Sequence, residues 1–195
     1  QWLGEDHMLT GDAPRARDAF AAAVRADAES PIARALQGVA MSLGGDHDGG
    51  IGLLRRVIDG DPSQAVPRFM LGTVYCYAGR YRDAVSELSE ARRLAPDVVA
   101  VAGTLGHALA RDGDSAGARR LLAELRRTPD RPGTQAAIAK IATGLGDRDL
   151  ALSALQLAAE GAHVVACARR KPKLDELVAA IKASGGSCTG VALDV

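Results

Sequence analysis

The chain has 195 residues, enough for one ordinary domain or for a short repeat array with an extra unit. Hydrophobic residues make up 47% and aromatics 3%, which excludes disorder and points to a core of Ala, Leu and Val suited to closely packed helices. Lys+Arg and Asp+Glu number 24 each, so no whole-molecule field draws nucleic acid or an acidic membrane. Cys76, Cys167 and Cys188 are odd in number and form no C-x-x-C pair, which argues against a disulfide framework or a zinc site and for reduced thiols in the cytoplasm. No apolar run approaches the roughly 18 residues of a membrane span, and no signal peptide is visible. The chain begins at Gln1 without Met and reads as a fragment at its N-terminus.

In chain order, a truncated first unit reads Leu3-Gly4, His7, Gly11, Ala16, Phe20 and Ala23. The next runs Gln37-Gly38, Gly45, Gly49-Gly50, Leu54, Val57 and Pro62. Then come Leu71-Gly72, Tyr75, Gly79, Tyr81, Ala84, Leu88, Ala91 and Pro96, followed by Leu105-Gly106, Leu109, Gly113, Ala118, Leu122, Leu125 and Pro129. Gly38, Gly72 and Gly106 step by 34, as do Gly45, Gly79 and Gly113. A last unit, Ile138-Ala139, Ala142, Gly146, Ala151, Leu155 and Ala158, is one residue out of step. A fixed period of this length predicts stacked helical hairpins, one per unit. The Leu-Gly position lets helix A approach its partner closely. The second Gly stops helix A in a left-handed cap, and the proline ends helix B. Ser63 and Asp97 suit the N-caps of the helices that follow. Gly49-Gly50-Ile51-Gly52 falls where helix B of the second unit should start. At roughly 1 kcal/mol per glycine, that helix is expected to fray or begin late.

These residues resemble the tetratricopeptide repeat family over residues 1–160, in units of about 1–30, 31–64, 65–98, 99–131 and 132–160, with 65–98 the best match. The Trp usual near the start of helix A is absent from units two to five. The resemblance implies a mostly α solenoid, a right-handed superhelix whose concave face, lined by helix A, binds a protein or peptide without catalysis. By family register that groove takes Phe69, Thr73, Cys76 and Tyr77 from unit three, His107 and Arg111 from unit four, and Lys140 from unit five. Aromatics beside cations suit a peptide with an acidic feature or a terminal carboxylate. The chaperone-binding members clamp a carboxylate with asparagines, and this chain has no Asn, so that clamp is excluded.

After Glu160 the pattern changes. Gly161 to Ala168 reads as a strand, Lys171 to Ser184 as an amphipathic helix with apolar spacing at Leu174, Leu177, Val178 and Ile181, and Ser187 to Leu193 as a second strand. This predicts a C-terminal β-α-β appendage, residues 161–195. Gly161-Ala162, Ala168-Arg169-Arg170, Gly185-Gly186 and Leu193-Asp194-Val195 resemble short-chain dehydrogenases/reductases from their second to their third strand. The resemblance implies that Arg169 or Arg170 receives the NADP 2′-phosphate and that Asp194 lies beside the adenine. The family's glycine loop is not present upstream: Thr143-Gly144-Leu145-Gly146 lacks half its glycines and already fits a repeat turn. Its Tyr-x-x-x-Lys is absent as well. The expectation is therefore a scaffold and not an enzyme, with no cofactor. The alternative is a truncated NADP-dependent oxidoreductase fused to repeats, and a third reading makes the tail a cap on the solenoid end. A gene fusion and an assembly artefact both account for such a join, and the sequence does not choose between them.

Asp46-His47-Asp48 has the look of a metal cluster, but it lies in an inter-helix turn with no Cys or second His at ligand spacing, so no metal is expected. His7 and His107 are read as packed or groove-facing, and His163 has no partner in view. The pairs Arg55-Arg56, Arg92-Arg93, Arg119-Arg120 and Arg126-Arg127 are read as favourable charges late in helix B, not as a nucleic-acid stripe. The sequence names neither the partner nor the oligomeric state.

Overall fold

The computed structural model describes residues 30–128, 133–159, 163–168 and 187–192, together with the isolated helical positions 22 and 179. The first repeat unit, the tail helix expected over 171–184, and Arg169, Arg170 and Asp194 lie outside the described residues.

Among the described residues eight helices form four antiparallel hairpins. They are α1 (Pro31–Leu43) with α2 (His47–Gly60), α3 (Ala65–Tyr77) with α4 (Tyr81–Leu94), α5 (Val99–Asp112) with α6 (Ser115–Arg126), and α7 (Thr134–Leu145) with α8 (Arg148–Ala159). The odd-numbered helices are the A helices of the hairpins and the even-numbered ones the B helices. Each A helix stops at a glycine in the left-handed region: Gly45 at φ 94°, Gly79 at 72°, Gly113 at 101° and Gly146 at 75°. A Cβ there would cost about 1–2 kcal/mol, which is why the sequence repeats glycine at this step. Three of the B helices then start on carboxylate caps. Asp46 accepts from Gly49 N at 2.9 Å, Asp114 from Gly117 N at 2.8 Å and Asp147 from Leu150 N at 3.1 Å.

Three local expectations are corrected. Helix α2 begins at His47 and neither frays nor starts late. Its Asp46 cap supplies part of what the glycines lose. Gly50 is moreover required by packing, because a Cβ there would stand 2.4 Å from the Gly38 carbonyl oxygen of α1. Ser63 and Asp97 are not N-caps: α3 starts after Gln64 and α5 after Val98, neither with a side-chain cap bond. Asp61 instead takes Ser63 N (3.1 Å), Ser63 Oγ (2.6 Å) and Gln64 Nε2 (2.8 Å), and these bonds hold its carboxyl below the ordinary range. Arg55 is not in the last turn of its helix, as the dipole argument required. It donates to the Tyr75 hydroxyl at 2.7 Å, tying α2 to the next hairpin.

The core is aliphatic, as composition implied. Ala35, Val39, Leu54, Leu71, Val74 and Leu88 are buried among α1 to α4, with Tyr75 beside them, and Ala118, Leu122, Ile138, Ile141 and Ala154 are buried among α5 to α8. Gly72 packs on Leu88 so tightly that a Cβ would fall 2.4 Å from Leu88 Cγ. In unit four the same repeat position does a different job. Gly106 opens onto Ile141 of α7, not onto its own B helix, and Gly103 onto Ala137. The two A helices α5 and α7 therefore lie close together along their length.

Beyond α8, β1 (His163–Ala168) pairs in parallel with β2 (Ser187–Ala192), from His163 opposite Ser187 to Ala168 opposite Ala192. No helix among the described residues is long and apolar enough to cross a membrane.

Candidate functional site: the open face of the A helices

Helix α3 shows how each A helix divides. Leu71, Val74 and Tyr75 are buried in the core, while Phe69, Thr73 and Cys76 are half-buried and Tyr77 is exposed. Phe69 and Cys76 pack against the core from outside. The Thr73 hydroxyl donates back to the Phe69 carbonyl at 2.9 Å, which fixes the Thr73 side chain along the helix. Burial pushes the Cys76 thiol up to about 11, against a smaller opposing pull from the Lys140 ammonium.

The remaining groove residues form one connected patch. His107 Nδ1 lies 3.1 Å from the Lys140 carbonyl oxygen, and since a carbonyl only accepts, that ring nitrogen carries the proton. Burial lowers the His107 pKa, and the Lys140 and Arg111 cations lower it further against that hydrogen bond, so the ring is neutral at pH 7. The Tyr81 ring meets His107 edge-on at 6.3 Å, and the Arg111 guanidinium lies 5.1 Å from the centre of the same ring. Lys140 donates to Thr104 Oγ1 at 3.2 Å, and Thr104 in turn donates to the Ala100 carbonyl at 3.0 Å. Cys76, His107, Arg111 and Lys140 thus influence one another, while Phe69, Thr73 and Tyr77 follow the same open face of α3.

Among the described residues the large exposed apolar side chains are Ile32 (37%), Val66 (46%), Tyr77 (47%), Val98 (45%) and Leu152 (39%). Ile32 and Val66 are 34 residues apart in the first turns of α1 and α3, and Val98 caps α5. Sequence reasoning missed these three and Thr104. The 34-residue spacing of Ile32 and Val66 was the available signal, hidden because apolar residues were assigned to the core. A cleft of about 400 Å³ opens between the starts of α5 and α7, lined by Val98, Ala100, Gly133, Ala136, Ala137 and Lys140 among others. It exists because the A-helix residues there are small.

The charges are unevenly shared. Helices α1, α3, α5 and α7 carry Arg34, Arg68, Arg111 and Lys140 against the single acid Asp112. Asp46 and His47, the residues with the look of a metal site, have structural partners: Asp46 caps α2 and His47 Nδ1 meets Ser42 Oγ at 2.7 Å.

A family model described as the tetratricopeptide repeat matches residues 3–65 and 69–132, well over half of the chain. No curated protein matches. Among solved structures, a thermophilic TPR protein of Thermus thermophilus is similar at a TM-score of 0.68 and 19% identity, covering 93% of this chain and 95% of that one. A structure from the functional characterization of Pseudomonas aeruginosa pilF gives 0.58 and 20%, covering 93% and 82%. The structure of Naa15/Naa10 bound to HypK-THB gives 0.55 and 14%, covering 93% of this chain and 27% of that chain.

Proposed function

Because this chain belongs to the tetratricopeptide repeat family, we propose that it is a non-catalytic scaffold that docks a protein or peptide along the concave face of its A helices. The observation that carries this is the exposed apolar row. Ile32 and Val66 repeat with the unit, stand clear of the core, and lie on two of the four A helices, which together carry four cations and one acid. A solvated outer face has no need of such a row, whereas a docking groove uses apolar anchors for affinity and charge for selectivity. A complex bound to HypK-THB among the similar structures fits a partner-holding role. Phe69, Thr73, Tyr77, His107, Arg111 and Lys140 are the proposed groove residues, and the reduced-thiol reading makes the setting cytoplasmic.

The test is selection of dodecapeptides from a random display on the purified chain, followed by fluorescence anisotropy. Affinity is expected to fall about tenfold or more in Val66→Asp and Tyr77→Ala, and to hold in Leu152→Asp on the B helix α8. Binders that lose affinity with Leu152→Asp and ignore Val66→Asp would overturn the groove.

The parallel pairing of β1 with β2 favours a second reading of the tail, as a remnant of an NADP-binding sheet that uses Arg169, Arg170 and Asp194. Nicotinamide fluorescence during an NADPH titration decides it. Saturable micromolar binding supports a nucleotide site, and no binding at millimolar NADPH removes that role.

A further inference from the structure

The A helices do not pack evenly along the array. Met70 of α3 packs on Leu36 and Ala40 of α1. Helix α7 lies on α5 through glycines. A Cβ on Gly103 would stand 2.7 Å from Ala137 Cα, one on Gly106 2.6 Å from Ile141 Cδ1, and one on Gly144 3.0 Å from His107 Cα. Between these two pairs α3 and α5 barely meet. Gly72, the glycine of α3 at the Leu-Gly step, faces Leu88 of its own hairpin and gives α5 no close approach. The core divides at the same place. One main cluster of buried side chains spans α1 to α4 and is closed by Leu105 and Ala108 of α5, while the other joins Ala102 of α5 to α6, α7 and α8. Among the described residues no fully buried side chain belongs to both, and the half-buried Leu109 and Leu121 are the ones that pack on each.

Besides the seam of α4 on α5, the ties between the halves are soft. On the groove side the Tyr81 ring meets His107 edge-on at 6.3 Å and has Arg111 5.1 Å from its centre. Both kinds of contact hold over a range of distances and tilts, so a small change of helix angle does not break them. On the outer side Arg92 pairs with Glu124 through side chains 21% and 47% exposed, long enough to follow the same change and screened by water.

We propose that the array is jointed between α4 and α5: α1–α4 and α5–α8 are two stiff bodies, and the α4–α5 seam is a shear joint at which packed helices slide by small amounts. Phe69, Thr73 and Tyr77 of α3 stand on one side of the joint, and His107, Arg111 and Lys140 of α5 and α7 on the other. The bend at the joint therefore sets the width of the A-helix face. The joint is a property of the free chain and stands or falls apart from the groove's occupant.

The experiment is a set of amide residual dipolar couplings from the full, unsubstituted chain in dilute bicelles. Couplings from α1–α4 and from α5–α8 are expected to fit two alignment tensors with different degrees of order. Electron–electron distance measurements check the same point with spin labels on exposed B-helix positions, in a chain carrying Cys76→Ala, Cys167→Ala and Cys188→Ala. The pair Arg56→Cys with Ser89→Cys lies within the first body, Arg120→Cys with Ser153→Cys within the second, and Ser89→Cys with Arg120→Cys spans the joint. The spanning distribution is expected to be broader than either internal one, and circular dichroism reports that each labelled chain is folded. One tensor that fits all eight helices, or three distributions of equal width, would overturn the joint. Two tensors that divide between α6 and α7 would overturn it as well, because the glycine contacts of α5 with α7 would then not hold the second body together.

Discussion

Along α4 the charges close on one another. Arg80 meets Asp83 at 2.6 Å, Arg93 meets Glu90 at 2.7 Å, and Arg92 reaches Glu124 on the next B helix. Its partner α3 carries Arg68 as its one charge, satisfied across the hairpin by Glu87, and leaves Val66 and Tyr77 open. The same split runs through the array. The B helices hold seven acidic and nine basic residues, the A helices one acidic and four basic besides His107. Both kinds of helix contribute to one aliphatic seam, where Leu54 meets Gly38 and Leu88 meets Gly72. The contrast teaches that the residues that hold the fold and those left open to solvent occupy different stripes of the same helix: the seam holds the fold, and the open A face is the one proposed to take a partner.

The sharpest way to break that division is to cut the seam and the open face separately. Leu88 is fully buried against Gly72, so Leu88→Ala removes both contact and transfer free energy, and about 3 kcal/mol of stability should be lost in urea unfolding. Val66→Asp, on the open face of the same hairpin, should stay within about 0.5 kcal/mol of the parent. Comparable losses from both would mean that the open face is structural, and the division would fail.

Cys76 lies between the two stripes and offers a pH test. Its thiol sits at about 11 against an ordinary 9.0. The folded chain therefore holds that proton where the unfolded chain releases it, so the contribution is intact below pH 9 and is lost as pH rises toward 11. Over that window the loss is about 2 kcal/mol. The difference between the parent and Cys76→Ala in stability against pH isolates the thiol. A flat difference from pH 8 to 11 would place Cys76 in free contact with water.

At the hinge between the stripes, Gly79 holds φ 72°, where a Cβ meets no neighbour. Gly79→Ala should then cost only the backbone strain, about 1 kcal/mol, with peptide affinity unchanged. A larger loss, or an altered groove, would show that the turn also sets the angle between helices.

Most of the fold was legible because the repeat residues report obligate geometry. Gly45, Gly79 and Gly113 hold positive φ, and Ala84 and Ala118 are fully buried. The start of α2 was misread because propensity weighs Gly49 and Gly50 as isolated losses, whereas Gly50 meets the Gly38 carbonyl, a contact that only the folded pair creates. The site was legible by register but not by chemistry. Register put His107 and Lys140 on one face. That His107 is neutral, and that Lys140 bonds Thr104, follows from α5 and α7 packing through Gly103, Gly106 and Gly144, and no single-helix pattern encodes that.

The smallest expected effect is the most exacting for the comparison, because it asks whether the B-helix charges do anything beyond solvating the outer face. Arg92 on α4 and Glu124 on α6 join consecutive units, with side chains 21% and 47% exposed. Water screens a pair this open, and both long side chains lose rotamer freedom in forming it. A double-mutant cycle of Arg92→Ala and Glu124→Ala should therefore return a coupling of about 0.2–1 kcal/mol at low salt. In 1 M salt the screening length falls to about 3 Å and the coupling should vanish. Arg93→Ala with Glu90→Ala, a pair open to water within one helix turn, should couple more weakly still and show the same salt response. If the Arg92–Glu124 coupling instead exceeded about 2 kcal/mol and survived salt, the outer helices would be bolting unit to unit. The stability of the array would then lie on two stripes instead of one.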